Sequence, residues 1–93
     1  MIKWLIVEKI VPMAEKKEKS HDLIVLGERL RKIREGKKLS LKQLGMLIDK
    51  EAQSISRVEN AQINPTYLYL LKLAKGLDME VTQLLNLKEN ESL

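Results

Sequence analysis

Leu41 to Asn60 reads LKQLGMLIDKEAQSISRVEN, and its apolar residues are spaced to give two short helices on either side of a tight bend. In the first, Leu44, Leu47 and Ile48 fall on one side at helical spacing, and Gly45, lacking a Cβ, lets another backbone come close. Ser40 followed by Gln43 has the pattern of a capping box, so this helix starts at Leu41. In the second, Ile55 and Val58 point inward, which leaves Gln53, Ser56 and Arg57 pointing out. The bend falls at Asp49-Lys50, where Asp tolerates left-handed dihedrals better than most residues. Two helices joined in this way have the form of a helix-turn-helix, the unit that lays its second helix in the DNA major groove.

Working outward, a first helix is expected from Leu23 to Glu35, with Leu23, Leu26, Leu30 and Ile33 as its buried stripe. Ser20 or Asp22 caps its start, and Gly36 helps to end it. Arg34 falls on the edge of that stripe, an unusual place for a charge. Beyond the central pair, Asn60 is expected to take the left-handed conformation, since Ala61 there would cost roughly 1 to 2 kcal/mol. Pro65 and Thr66 open a fourth helix, in which Tyr67, Leu70, Leu71, Leu73, Ala74 and Leu77 cover the core. Leu68 and Tyr69 lie off that stripe and are assigned to a subunit contact. Val81, Leu84 and Leu85 make a short fifth helix, and residues 88–93 a frayed tail.

From Leu26 to Leu85 the chain resembles the Cro/C1-type (XRE) helix-turn-helix regulators. The likeness is carried by LGERLRKIRE, LSLKQLG, SISRVEN, INPTYLYLLKLAKGLDM and EVTQLL, in family order and at family spacing. The resemblance implies an all-α, compact five-helix lambda-repressor-like domain, here 23–87. It also implies a dimeric transcription regulator, commonly a repressor, bound to operator DNA. It further implies that Arg34 pairs with Glu59, the residue closing the recognition helix, and that the last helices form the dimer interface, with Leu84 and Leu87 as candidates. The chain departs from the family pattern in three turns. Lys37 and Lys38 precede Ser40 where Gly is usual, Asp49-Lys50 lacks Gly, and so does Asn60-Ala61-Gln62. Leu41 also stands where many members carry a polar residue that touches the DNA backbone.

The recognition helix, expected over 51–60, carries the candidate base readers Glu51, Ala52, Gln53, Ser56 and Arg57. Gln53 and Arg57 are four apart and share a face, so both reach base edges at once. Gln suits adenine and Arg guanine, each bidentate contact giving about 1 to 3 kcal/mol of discrimination. Glu51 suits a cytosine amino group, Ala52 a thymine methyl, and the small Ser54 and Ser56 let the helix sit deep. Candidate phosphate contacts are Lys37, Lys38, Ser40 and Lys42 around one helix N-terminus, then Ser54, Asn60, Gln62 and Asn64.

Composition narrows the classes. Ninety-three residues make one small domain whose core must come from Leu and Ile, because Phe is absent. Without Cys there are no disulfides, thiolate ligands or cysteine nucleophiles, which suits a reducing cytoplasm. A single His, no phosphate-loop pattern and no paired acids in an apolar setting argue against an enzyme, and no cofactor, metal or small-molecule ligand is indicated. The net charge of +4 fits a polyanion, double-stranded DNA in particular. The apolar run Trp4 to Val7 is too short for a signal peptide or membrane span.

Residues 1–22 form an N-terminal extension. Met1 to Val11 favours a strand that stops at Pro12, with a helix bearing Leu5, Ile6 and Ile10 on one face as the other reading. Either would bury itself in a homodimer or on the helical domain, so Trp4 and Ile6 join Leu68, Tyr69, Leu84 and Leu87 as dimer candidates. The competing function is an antitoxin-like protein-interaction module using the same fold without DNA. It is favoured by the acidic Glu51 and Glu59 on the recognition helix, and its N-terminal segment would add a strand to a partner.

Overall fold

The computed structural model describes residues 20–87, which fold as five helices. These are α1 (His21–Gly36), α2 (Leu41–Ile48), α3 (Ala52–Glu59), α4 (Tyr67–Gly76) and α5 (Val81–Leu84). The strand expected within 1–11, together with Trp4 and Ile6, lies outside the described residues. Among the described residues no helix is long and apolar enough to cross a membrane.

α1 begins at His21, two residues before the expected Leu23, with Ser20 at its N-cap in extended conformation but making no side-chain cap bond. Its stripe buries Leu26 and Leu30 and half-buries Leu23 and Ile33. α2 starts as expected: Gln43 N–H donates to Ser40 Oγ at 3.0 Å, and Ser40 N–H donates to Gln43 Oε1 at 2.8 Å. Thr66 caps α4 by accepting from Tyr69 N–H at 3.1 Å. α1 and α2 both pack on α3, α4 packs on α2, and α5 closes against α4. The shared core is Leu30, Leu44, Ile48, Ile55, Val58, Leu73, Ala74, Leu77 and Leu84. Each fully buried Leu contributes about 1.5 to 3 kcal/mol.

The surface takes several residues that periodicity assigns to the core. Leu47 is 60% exposed and Tyr67 61% exposed, and Leu71 and Leu85 also reach solvent. Tyr67 shares the face of Leu70, Leu73, Ala74 and Leu77 but sits in the first turn of α4, past the rim of the core. Leu47 falls on the far flank of Leu44 from Ile48 and Gly45, and the α2 face that meets the bundle is centred on those three, which leaves Leu47 at its rim.

The helix ends are unusual in a single respect. Lys38, Asp49, Ala61 and Asp78 all have φ between 56° and 59°, and among the described residues no glycine has a positive φ. After α1, Leu39 N–H donates to Arg34 O at 3.1 Å and Lys38 N–H to Glu35 O at 2.9 Å. After α3, Gln62 N–H donates to Arg57 O at 2.8 Å and Ala61 N–H to Val58 O at 3.1 Å. This is the paired Schellman pattern, which places the left-handed residue one position after the cap. Gly36 therefore ends up inside α1, and Lys38 makes the turn.

The same rule corrects the expectation for Asn60, which caps α3 at φ −96° while Ala61 turns left-handed. Two effects offset the steric cost at Ala61. Its methyl is buried, and Asn60 is held as a cap, its amide donating to Ser56 O at 2.8 Å and its Oδ1 accepting from Arg31 at 2.9 Å.

Candidate nucleic-acid interface

α3 is positioned from three sides. Beside its start, α2 comes so close at Gly45 that a Cβ there would collide with the backbone carbonyl of Lys50. The left-handed Asp49 lets Lys50 N–H reach Gly45 O at 2.9 Å, which fixes the bend. Ile55 and Val58 anchor the middle in the core. The end of α3 is held by charge: Arg34 Nε donates to Glu59 Oε2 at 2.6 Å and Arg34 Nη2 to Glu59 Oε1 at 3.1 Å. Arg34 is 8% and Glu59 5% exposed, so the pair implied by resemblance is present and sealed. Arg34 Nη1 also donates to Leu39 O at 2.7 Å, tying in the α1–α2 turn. Hydrogen bonding to Glu59 raises the Arg34 pKa above its ordinary value, burial works against this, and the charges of Glu59 and Glu35 add to it.

A second arginine was missed in the sequence reading. Arg31 Nε donates to Glu59 Oε1 at 3.3 Å while Arg31 Nη2 holds Asn60. The signal was present, since Arg31 and Arg34 are one turn apart on α1 and reach the same neighbour. Arg29, also unassigned, donates from Nε to Leu84 O at 2.8 Å and from Nη2 to Gln83 O, so it binds carbonyls at the end of α5.

With α3 fixed, its outer edge presents Glu51, Gln53 and Arg57 to solvent, with Ala52 and Ser56 half-buried. Gln53 and Arg57 make no side-chain hydrogen bond to the described residues, so their donors and acceptors are free for a ligand. Glu59 does not add to the charge of this edge: it is buried between two guanidinium groups, leaving Glu51 as the outward-facing acid of α3. The feature that favoured a non-DNA partner is thereby halved.

Around α2, Lys37, Lys38, Ser40 and Lys42 are all exposed. Ser40 Oγ accepts from Gln43 N–H, so its own hydrogen remains to donate outward, beside amides at the helix N-terminus that have no intrahelical partner. At the other end Gln62 and Asn64 are exposed, though the Gln62 amide is used by the turn. The Asn60 side chain is spent on Ser56 and Arg31. Ser54 is likewise engaged: its Oγ lies 2.6 Å from Tyr69 Oη.

Of the dimer candidates, Leu68 is exposed and Leu87 half-buried. Leu84 is 0% exposed and belongs to the core, so it has no surface to offer a second subunit. Tyr69 is half-buried and turned toward α3. Leu84 departs from the role the resemblance implies because α5 is so short that its apolar face is consumed in closing the bundle, whereas Tyr69, on α4, spends its hydroxyl on Ser54.

Comparison with known proteins agrees with this geometry. The helix-turn-helix family model matches residues 30–84. Among solved structures, the restriction-modification controller protein C.AhdI from Aeromonas hydrophila is 37% identical, with a TM-score of 0.69, covering 70% of this chain and 98% of that one. A variant of the restriction-modification controller protein C.Esp1396I shares the fold at 23% identity and TM-score 0.72, covering 81% and 95% of the two chains. The clp gene regulator ClgR from Corynebacterium glutamicum does so at 19% and 0.71, covering 80% and 79%. Among curated proteins nothing matches. The fold is that of DNA-binding transcription regulators, and the chain belongs to the Cro/C1-type (XRE) helix-turn-helix family.

Proposed function

We propose that this protein is a sequence-specific DNA-binding regulator that acts as a homodimer, most often to repress, on a near-palindromic operator. The observation that carries the reading is the outer edge of α3, where Gln53 and Arg57 stand exposed and uncommitted on a helix locked from behind by Ile55, Val58 and the Arg34–Glu59 pair. Each subunit would place one such helix in a major groove, and two-fold symmetry puts the half-sites about 34 Å, one helical turn, apart. Lys37, Lys38 and Lys42 would hold the flanking phosphates and set the register. Tyr67, Leu68, Leu71 and Leu85 supply exposed apolar surface for a second subunit to cover. The likeness to C.AhdI supports a controller role of the kind that protein's name describes. Selection of bound duplexes from random DNA tests the whole reading: a two-fold symmetric consensus is expected, and recovery of unenriched sequence would overturn it.

A further inference from the structure

Three elements converge at the first turn of the recognition helix. Tyr69 comes from α4, Ser54 from α3, and Lys50 from the bend before α3. Tyr69 Oη and Ser54 Oγ are 2.6 Å apart, and the Lys50 ammonium lies 5.1 Å from the centre of the Tyr69 ring. Periodicity along α4 assigned Tyr69 to a subunit contact, but its hydroxyl is directed at α3.

The chemistry of this cluster is incomplete within the protein. Two hydroxyls bring two O–H donors, and a single hydrogen bond between them uses one. Whichever residue donates, one hydroxyl hydrogen remains, and the bond polarises it toward a further acceptor. The ammonium of Lys50 stands over the ring face, where the π-system attracts it without neutralising it. Lys50 is exposed and Ser54 and Tyr69 are half-buried, so the cluster reaches solvent beside the first turn of α3. Glu51 is the neighbouring acid, also exposed, and Lys50 offsets its charge. A spare hydroxyl donor beside an ammonium group fits an anionic oxygen, and the backbone phosphate of duplex DNA is the one that α3 would bring there.

We propose that Tyr69, through its shared hydrogen bond with Ser54 and its stacked Lys50, forms a contact to one DNA backbone phosphate at the leading edge of the recognition helix. This deepens the DNA-binding reading and rests on it. The contact fixes how far α3 is inserted and carries no base preference of its own. The hydroxyl pair also bridges α3 to α4.

The test uses the full chain with Tyr69→Phe, which keeps the ring under Lys50, and with Ser54→Ala and Arg57→Ala. Each is titrated against the selected duplex, an unrelated duplex of equal length, and the selected duplex carrying single methylphosphonate substitutions. Tyr69→Phe is expected to weaken both unmodified duplexes equally, about tenfold, as loss of a charge-assisted hydrogen bond should. Combining it with Ser54→Ala should add little. One methylphosphonate position should weaken the wild type but not Tyr69→Phe, a readout that a purely structural bridge would leave unmoved.

Wild-type affinity in Tyr69→Phe would overturn the inference, leaving the hydroxyl pair as a tie between helices. A loss confined to one base pair would also overturn it, because the cluster would then be reading sequence. If Arg57→Ala relaxes base preference in either of those cases, the regulator reading stands without the phosphate contact. If the wild type binds neither duplex, both readings fall together.

Discussion

Arg34 and Glu59 meet in the interior as a two-point ion pair, Nε to Oε2 at 2.6 Å and Nη2 to Oε1 at 3.1 Å, joining the first helix to the last residue of the recognition helix. Neither charge has water to fall back on, so losing one member strands the other. Glu59→Gln is expected to cost about 3 to 5 kcal/mol in urea unfolding, a large part of the total stability of a domain this size. Arg34→Met together with Glu59→Leu should recover most of that loss, because exchanging a buried pair for apolar side chains removes two desolvation penalties. If the single change costs under about 1 kcal/mol, the pair is not the clamp described.

The direction of the Arg34 shift gives a pH prediction. A group whose pKa is raised on folding contributes stability that is fully present below its unfolded value and is lost only as pH rises through its folded value. For an arginine held above its ordinary value that window lies beyond the working range, so the cationic side of the clamp should not titrate before general alkaline unfolding. Arg34→Lys places an amine of ordinary pKa about 10.4 in the same position. Thermal melts of that variant should begin to lose stability as pH rises past about 10.4, where the wild type is flat.

Lys38 sits at φ 59° without being glycine, and its side chain is exposed. Lys38→Gly removes the steric cost of the left-handed conformation, about 1 to 2 kcal/mol, and returns part of it through greater freedom in the unfolded chain, about 0.4 to 1 kcal/mol. A rise in melting temperature of a few degrees is expected. Ala61→Gly should gain less or nothing, since it also empties a buried methyl. Calorimetry that ranked Ala61→Gly above Lys38→Gly would contradict this account of the turns.

Gly27 carries a prediction that its sequence does not advertise. A Cβ there would meet the carbonyl oxygens of Glu59 and Val58, both backbone atoms that cannot swing aside. Gly27→Ala should therefore destabilise by about 1 to 3 kcal/mol or more, where an ordinary exposed helical glycine would gain from the same change. Because the collision is with the end of α3, DNA affinity of the folded fraction should fall as well. An unchanged urea midpoint would show that α1 and α3 lie farther apart than described.

Most of the fold was legible because local signals and packing agree: the Ser40–Gln43 capping box, the Leu26 and Leu30 stripe, and the inward Ile55 and Val58 all hold. The turns were less so. Residue preference pointed to Asn60, whereas the Schellman hydrogen bonds set the left-handed position by counting from the last helical residue, and that count needs a helix end the sequence leaves uncertain by one. The resemblance offers Leu84 to a second subunit, but its burial depends on how the short last helix closes the bundle, and periodicity along α4 marks Tyr69 as off the core stripe without showing that α3 lies against its hydroxyl. Arg31 was overlooked because a charge on the outer part of a stripe reads as solvent-facing until its partner's position is known. Within the interface, exposure of Gln53 and Arg57 followed from the core positions beside them, but the withdrawal of Asn60 and Ser54 into bonds with Arg31 and Tyr69 depended on contacts between helices.

The division of labour across the interface can be tested by salt and by sequence together. Arg57, free at the edge of α3, should touch a base, and Lys42, exposed in the first turn of α2, should touch a phosphate. Arg57→Ala is then expected to cost about 1 to 3 kcal/mol on the selected site and to relax preference at one base pair per half-site. Lys42→Ala should weaken selected and unrelated duplexes alike and make the salt slope shallower by about 1. For a protein that neutralises about six phosphates, the wild-type slope of log affinity against log salt is near −5. Titrations at several salt concentrations separate the two roles, because a base contact leaves the slope almost unchanged while a phosphate contact does not. Should both substitutions lower affinity uniformly and shift the slope equally, Arg57 would be a second backbone contact and the reading of sequence would have to reside in Gln53 and Glu51.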